Sequence, residues 1–563
     1  MEARVCGWHR KRSDGGPRSA ALLGAKVRIK SALLFGALLG GCSGGGEAPV
    51  EDGELGFLRG AVLAPAGAGG RPVGGGRELV ETAWTPGEDV TVGGVTDQAP
   101  ARAECLPLFS QDLGDVSTLI AMGGEAPNAA LAWSPDGALL AVGSHRGEIL
   151  VLDGWTGEVR GRRKLAETMV KSVTWSPDGA VVYAAEQSPD AFVHALDVPS
   201  LTSRWSFRLA DELESSPPPP ATDIYGVYTL PAAWSLLTLR GGDVLVAGTH
   251  SWPKDGTRTN LARLWRLAPD GSVRRAWPAE GPLDGTLLFP NVDEDADRLA
   301  ISVGRSAEGP APEGVAIGGV QVLRLSTFEV LDGFIAEPLA PHFTRAKPWE
   351  AVDVEGDVVF AGYSDGRARL YRLGGGGTPS EADSAPPPAP SEPTTLNLGT
   401  PWLAGDVPLA ASVSWGFLDD ERLVAVTGET NIPWGSQTTA TRPPSPHPQA
   451  NRLHVFGHDG ALRWAWSGGY TVAGVSPSPS GKHVVVGAGE RRADDRRDLF
   501  GALLFRLEGE GGGEDRLEAV CATEGPVFFR QALHDDGRVA VAEVPWKADD
   551  GSVLGTYRVT VLR

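Results

Sequence analysis

The feature that most limits what this chain can fold into is an internal repeat. Trp133-Ser134-Pro135-Asp136-Gly137 returns as Trp175-Ser176-Pro177-Asp178-Gly179, 42 residues later. Periods of this size mark arrays whose units bury their apolar faces only against one another. Each pentapeptide is followed by an apolar run, ALLAVGS (138–144) and AVVYAAE (180–186). Asp-Gly between two such runs is a strong hairpin signal, because glycine takes the positive φ that a tight turn needs. Asp136, Gly137, Asp178 and Gly179 are therefore read as turn residues. A third run follows in each unit, EILVLD (148–153) and FVHALD (192–197), then a fourth segment, EVRGRRKL and SRWSFRL. Four short antiparallel strands in about 40 residues is the arithmetic of a propeller blade.

Weaker copies keep the second strand and the turn before it: GGDVLVAGT (241–249), DADRLAISVG (295–304), EGDVVFAGY (355–363), DDERLVAVTG (419–428), SGKHVVVGAG (480–489) and DDGRVAVAEV (535–544). With the first two they make eight, or seven if one copy is an insertion. The last copy stops at Arg563, directly after its third strand. An N-terminal segment, Leu106–Phe109 or Val116–Met122, is expected to supply the missing outer strand and so remove an open sheet edge. The expectation is an all-β chain: a single β-propeller over 105–563, with eight four-stranded antiparallel blades (seven as the alternative), closed by an N-terminal strand. Composition agrees. Glycine (75) and proline (44) make up 119 of 563 residues, well above the usual share of about 12%. That frequency breaks helices, while 41% apolar residues and 17 Trp can build a sizeable core.

Residues 1–41 carry eight Lys or Arg against Glu2 and Asp14, a net +6. Removing them takes the chain from −20 to −26. A general nucleic-acid binder is excluded on charge. After Lys26, Arg28 and Lys30 comes the run ALLFGALL (32–39). It reads as the core of a secretory signal and is too short to remain a bilayer span, which takes roughly 20 apolar residues. Leu39-Gly40-Gly41-Cys42 resembles the lipobox of bacterial lipoproteins at all four positions. The resemblance implies a signal peptide over 1–41, cleavage before Cys42, and acylation of its thiol (palmitate or a similar chain) and new amino group. Several acyl chains hold a protein stably to a membrane. Ser43, in place of a retention-type Asp, favours the outer membrane. Residues 42–56 have the composition of a flexible tether, and 57–104 form an N-terminal extension, partly extended or irregular.

The repeating unit resembles bacterial WD-repeat and YVTN-type propellers over roughly 105–563, on the strength of its WSPDG turns. It departs from WD-repeat proteins in lacking the Trp-Asp and Gly-His signatures. LDGWTGEV (152–159) and DGALRWAW (459–466) are similar to blades of quinoprotein propellers. Of the cysteines remaining after cleavage, Cys42 is lipidated, and Cys105 and Cys521 stand 416 residues apart. An exported chain permits a bridge between them; two buried free thiols are the alternative.

The later copies are longer, mostly between second and third strands: 250–261, 305–319, 429–451, 490–501 and 545–556. In a propeller these stretches open on one face. They carry Trp252, Trp434 and Trp546, with Arg258, Arg305, Arg491 and Arg492, and Trp and Arg are common anchors of binding surfaces. This is the candidate binding face; solvated loops with packed Trp are the alternative. Proline-rich excursions occupy 214–221, 374–394 and 438–450. No nucleophile elbow or phosphate loop occurs in the body. His454 and His458 sit on a strand and its turn, which does not make a zinc pair. Asp293–Asp297 lacks the glycine and glutamate of a calcium loop. No metal and no cofactor is expected, and the protein is expected to be a monomer. The preferred reading is a non-enzymatic, lipid-anchored envelope scaffold whose partner is an envelope protein or glycan. The rival is an envelope enzyme of quinoprotein or hydrolase type with its site at the channel mouth.

Overall fold

The computed structural model describes residues 103–114, 130–218, 227, 229–254, 257–305, 314–336, 351–373, 392–400, 402–404, 407–431, 446–468, 471–489, 500–508, 515–547 and 553–563. Leu39, Gly40, Gly41 and Cys42, the segments 42–56 and 57–102, and Val116–Met122 lie outside them.

The described chain is an all-β fold of four-stranded antiparallel meanders, each running in sequence order. The first comprises Ala130–Trp133, Leu139–Gly143, Glu148–Asp153 and Val159–Lys164; the second, Met169–Trp175, Val181–Gln187, Phe192–Asp197 and Thr202–Arg208. The third is Ala232–Thr238, Val244–Lys254, Thr257–Leu267 and Val273–Trp277; the fourth, Gly285–Asp293, Arg298–Arg305, Gly319–Arg324 and Val330–Phe334. The fifth is Val352–Glu355, Val358–Gly362, Arg367–Arg372 and Thr394–Asn397; the sixth, Val407–Leu418, Arg422–Asn431, Arg452–Gly457 and Leu462–Trp466. The seventh is Val472–Pro477, His483–Ala488, Gly501–Arg506 and Arg516–Ala522. The eighth takes Val527–Leu533, Val539–Glu543 and Arg558–Leu562 from the C-terminal end, and its outer strand, Pro107–Asp112, from the N-terminal side.

Several details depart from a simple series of separate sheets, among them the parallel pairing of Ala103–Glu104 with the seventh meander's fourth strand and the separate hairpin of Trp546–Lys547 with Val553–Leu554. The second and third meanders join into one sheet where Ala232 pairs with Gln187. Trp402–Ala404 adds a hairpin to Val407–Leu409. A short helix, Ala210–Leu213, interrupts a chain read as free of helical segments, and buries Ala210 and Leu213.

The hydropathy of each strand follows its position. Second strands are buried on both faces, as in Val181–Gln187, where all seven residues are buried; this is why they read as unbroken apolar runs. The outer strand Val159–Lys164 alternates exposed and half-buried residues, so it tolerates four basic side chains. Adjacent meanders share cores. Ala141, Ile149 and Val151 of the first pack with Val182, Ala184 and Leu196 of the second. Ala540, Ala542, Val559 and Val561 of the eighth share a core with Leu140, Val142, Leu150 and Leu152 of the first. Each such Val, Leu or Ile side chain contributes about 1.5–3 kcal/mol on burial.

First strands touch in order. Ala130–Trp133 contacts Met169–Trp175, which contacts Ala232–Thr238; Gly285–Asp293, Val352–Glu355, Val407–Leu418, Val472–Pro477 and Val527–Leu533 follow. The last of these contacts Ala130–Trp133 again.

Candidate functional site

In an antiparallel meander the first-to-second and third-to-fourth turns leave from one end of the strands. The second-to-third and fourth-to-first connections leave from the other. The two ends of these meanders are built differently.

The first end is tight. Ser134 Oγ donates to Asp136 Oδ1 at 2.7 Å, and that oxygen accepts Ala138 N at 3.0 Å. Ser176, Asp178 and Ala180 repeat the arrangement at 2.6 and 3.0 Å. These bonds hold the Asp136 and Asp178 carboxyls below the usual carboxylate range. Gly137 and Gly179 have φ of +66° and +69°, a conformation that costs other residues. The tryptophan of each pentapeptide reaches to the preceding meander. Trp175 Nε1 donates to Ala132 O at 2.9 Å, and Trp133 Nε1 donates to Ala532 O at 3.1 Å.

A guanidinium clasp recurs at the start of the second strand, on its first residue at Arg298 and Arg422 and one residue before Val539 at Arg538. Arg422 bonds Asp419 at 2.7 Å in its own turn and Gly481 O at 3.1 Å in the next meander. Arg298 lies 3.8 Å from Asp357 of the next meander. Arg538 grips Asp536 through Nε and donates to Gly137 O and Gly154 O, both at 2.8 Å. Its Cζ lies 4.7 Å from the Trp133 ring centre and 4.0 Å from that of Trp155. The signal was present in the sequence as an acidic turn followed by Arg in DADR, DDER and DDGR. Asp293 likewise is structural: it accepts Asp295 N, Ala296 N and, from the fifth meander, Gly356 N.

The second end carries the insertions. The stretch 250–261, expected as a loop, is instead a continuation of the sheet. Val244–Lys254 and Thr257–Leu267 stay paired from Val244–Leu267 out to Lys254–Thr257. The alternation of His250, Trp252 and Lys254 explains this, since it puts all three on one side of the strand. Trp252 stacks on His250 with ring centres 3.7 Å apart. His250 is buried; its Nδ1 donates to Leu213 O at 2.6 Å and its Nε2 lies 2.8 Å from Ser216 Oγ. Lys254 lies 3.4 Å from Glu214. The insertion of the third meander is thus pinned to the connection that precedes it. His447 does the same in the sixth, with Nε2 donating to Thr400 O at 2.9 Å. Burial pushes both imidazoles down to about 4.

The other candidate face residues divide in two groups. Arg258 pairs with Pro253, Arg305 with Gly285 and Trp546 with Leu554, all through the backbone at the insertion end. Trp434, Arg491 and Arg492 lie outside the described residues. Cys105 and Cys521 are joined by a disulfide, with Cα atoms 4.7 Å apart.

Buried polar groups also occupy matched positions that sequence reasoning missed. Glu186 Oε1 lies 2.7 Å from His194 Nε2, and His194 Nδ1 lies 2.8 Å from Ser206 Oγ, crossing three strands of the second meander. In the eighth, Thr560 donates to Glu543, Ser110 Oγ lies 2.9 Å from Thr560 Oγ1, and Arg558 Nε donates to Glu543 Oε1 at 2.8 Å. The signal was a glutamate ending two otherwise apolar second strands, AAE (184–186) and VAE (541–543). Near the start of Met169–Trp175, buried Lys171 sits 3.7 Å over the Trp234 ring. His145, buried beside that cation, is pushed down to about 4. Among the described residues, no group of three or more His, Cys, Asp or Glu is placed to hold a metal. His454 is buried on its strand, while His458 donates to Asp419 O at 2.6 Å; the two are not a pair.

Comparison with known proteins finds limited similarity. The chain matches no curated protein. Solved structures similar to it include "The crystal structure of BamB from Moraxella catarrhalis", at 12% identity and TM-score 0.42, and "Crystal Structure of Mitotic Checkpoint Complex", at 14% identity and TM-score 0.34. Each likeness covers 82% of this chain, and 98% and 96% of the respective structure. Residues 120–185, which hold both WSPDG turns, match the family model described as the anaphase-promoting complex subunit 4 WD40 domain.

Proposed function

We propose that this chain is a lipid-anchored scaffold of the bacterial cell envelope. In this reading the eight meanders are the blades of one propeller, and Pro107–Asp112 closes it. Cys42 carries the acyl chains at the outer membrane, and the insertion end binds an envelope protein or a glycan without catalysis. One observation carries the reading of the body: the eighth meander meets the first with the contacts that join the first to the second. Trp133 to Ala532 repeats Trp175 to Ala132. A closed ring of this kind is rigid, and rigidity suits a surface that must present separate insertions in fixed places. Pinning of the insertions by His250 and His447 supports the same role, because a preordered surface loses less entropy on binding.

Two measurements test it. Mass spectrometry of the N-terminal peptide from membranes is expected to find an acylated Cys42; an unmodified Cys42, or a retained segment 1–41, would remove the anchor. Purified protein is then used to capture envelope partners, comparing the wild type with a variant carrying Trp252→Ala, Trp434→Ala and Trp546→Ala. Loss of a specific partner is expected from this variant and also from one carrying only Trp434→Ala and Trp546→Ala, the latter with an unchanged melting temperature, since Trp252 also packs on buried His250. Unchanged capture, or a visible cofactor absorption band in the pure protein, would turn the reading toward an enzyme.

A further inference from the structure

The N-terminal side of the chain joins the fold in a fixed order. Ala103 and Glu104 pair in parallel with Ala519 and Val520 on strand Arg516–Ala522 of the seventh meander. Cys105 is then bonded to Cys521, the next residue of that strand, which is fully buried. Only beyond the crosslink does the chain cross to the eighth meander. Leu106 and Arg563 exchange backbone hydrogen bonds of 2.8 and 3.0 Å, and Pro107–Asp112 pairs with Arg558–Leu562. The disulfide therefore belongs to one meander, and the strand it precedes belongs to the next.

We infer that Cys105–Cys521 is a mechanical bypass: a pull on the chain N-terminal to Ala103 ends at Cys521, and the seam strand Pro107–Asp112 carries none of it. Without the bridge that strand is badly placed to resist. Pulled from its N-terminal end, an antiparallel edge strand opens one pair at a time, from Leu106–Arg563 to Asp112–Arg558. Each backbone hydrogen bond broken this way is worth only about 1 kcal/mol net. Opening would also separate Ser110 from Thr560 and draw Leu113 out of the core it shares with Tyr557. With the bridge, the load passes to Arg516–Ala522. That strand is flanked on one side by Gly501–Arg506, from Gly501–Ala522 to Arg506–Arg516, and on the other by Ala103–Glu104, and Cys521 is fully buried, so the load enters a strand held on both sides instead of an edge.

The inference rests on the anchored-scaffold reading only for the source of the pull. Acylation is read by mass and the load path by force, so either can fail without the other. The test is single-molecule extension of the full chain, with one handle at its N-terminal end and the other at Gly241, in a turn of the third meander where an added side chain meets nothing within 4 Å; a handle on Arg563 would itself load the Leu106–Arg563 pair. Oxidised protein is expected to show no release before the main unfolding steps. Protein with Cys105→Ser and Cys521→Ser is expected to show an added early release on the order of 40 Å, the extended length of residues 103–114. Adding a dithiol reductant to tethered wild-type molecules checks the same point without a substitution, should the variant not fold. The same early release in oxidised protein, or its absence in both states, would overturn the inference.

Discussion

Replacing Arg538 with Met tests whether the eighth and first meanders are held together as the structure implies. Arg538 is only 1% exposed. Its guanidinium donates to two carbonyl oxygens of the first meander, Gly137 O and Gly154 O, and to both oxygens of Asp536. Met keeps most of the stem's packing and removes the charge. Each charge-assisted bond contributes about 1.5–3 kcal/mol, and breaking a buried pair by removing one partner costs about 3–5 kcal/mol. The partial contact of Asp536 with His534, at 3.1 Å, keeps the total near the lower figure. We expect a loss of about 3–4 kcal/mol in urea unfolding, with the slope m unchanged. Hydrogen exchange should localise it, with amides of Arg558–Leu562 and Ala130–Trp133 opening at least about 100-fold more often. Arg422→Met is the control. That residue reaches one carbonyl of its neighbour instead of two, so it should cost about half as much. A loss below about 1 kcal/mol for Arg538→Met, the range of exposed ion pairs, would refute the clasp. So would faster exchange spread evenly over all meanders.

Trp133→Phe and Trp175→Phe each remove one indole hydrogen bond to a neighbouring first strand. Losses of about 1 kcal/mol are expected by thermal melting, the larger for Trp133→Phe because its ring also lies under Arg538; no loss at either position would refute the indole bonds. Gly137→Ala and Gly179→Ala share the cost of a positive φ, about 1 kcal/mol. A Cβ on Gly137 also meets His534 and, at 2.7 Å, Arg538 Nη2, while one on Gly179 meets only Pro135 at 3.8 Å. Gly137→Ala should therefore be clearly the more destabilising in the same assay. Buried His145, His250, His447 and His454 have folded pKa values of about 4, 4, 4 and 3, below the ordinary 6.5. The unfolded chain binds protons first as pH falls, so their contribution is complete above pH 6.5 and is lost towards pH 4. Asp353, raised to about 7 by burial, acts oppositely: its contribution is complete below its ordinary 3.8 and is lost as pH rises to about 7. Four histidines outweigh one aspartate, so denaturant midpoints should rise from pH 4.5 to 6.5. His250→Gln should flatten that rise, and an unchanged slope would show that His250 is not neutral in the fold.

Much of the architecture was legible from side-chain chemistry alone. Asp-Gly turns require a positive φ wherever they occur, so WSPDG placed the hairpins at 134–138 and 176–180 without knowledge of their neighbours. Continuous apolar second strands mean burial on both faces, and polar fourth strands mean an outer edge. The copy ending at Arg563 was one strand short, and of the two proposed donors the segment Leu106–Phe109 falls in the strand that pairs there. What could not be read was which side chains meet across distant segments, the two chain-end pairings apart. The 250–261 stretch has loop-like composition, yet His250 finds Leu213 and Ser216, and Lys254 finds Glu214; those partners keep the strands paired to Thr257. Trp252 looked like a free anchor and is instead stacked on His250. Asp-x-Arg turns looked like solvated charge, because nothing local reveals that Arg538 ends against Gly137, about 400 residues earlier in the chain. Local rules act over a few residues and repeat with each unit. The joining of the last unit to the first is a relation between chain ends, and only the tertiary structure decides it.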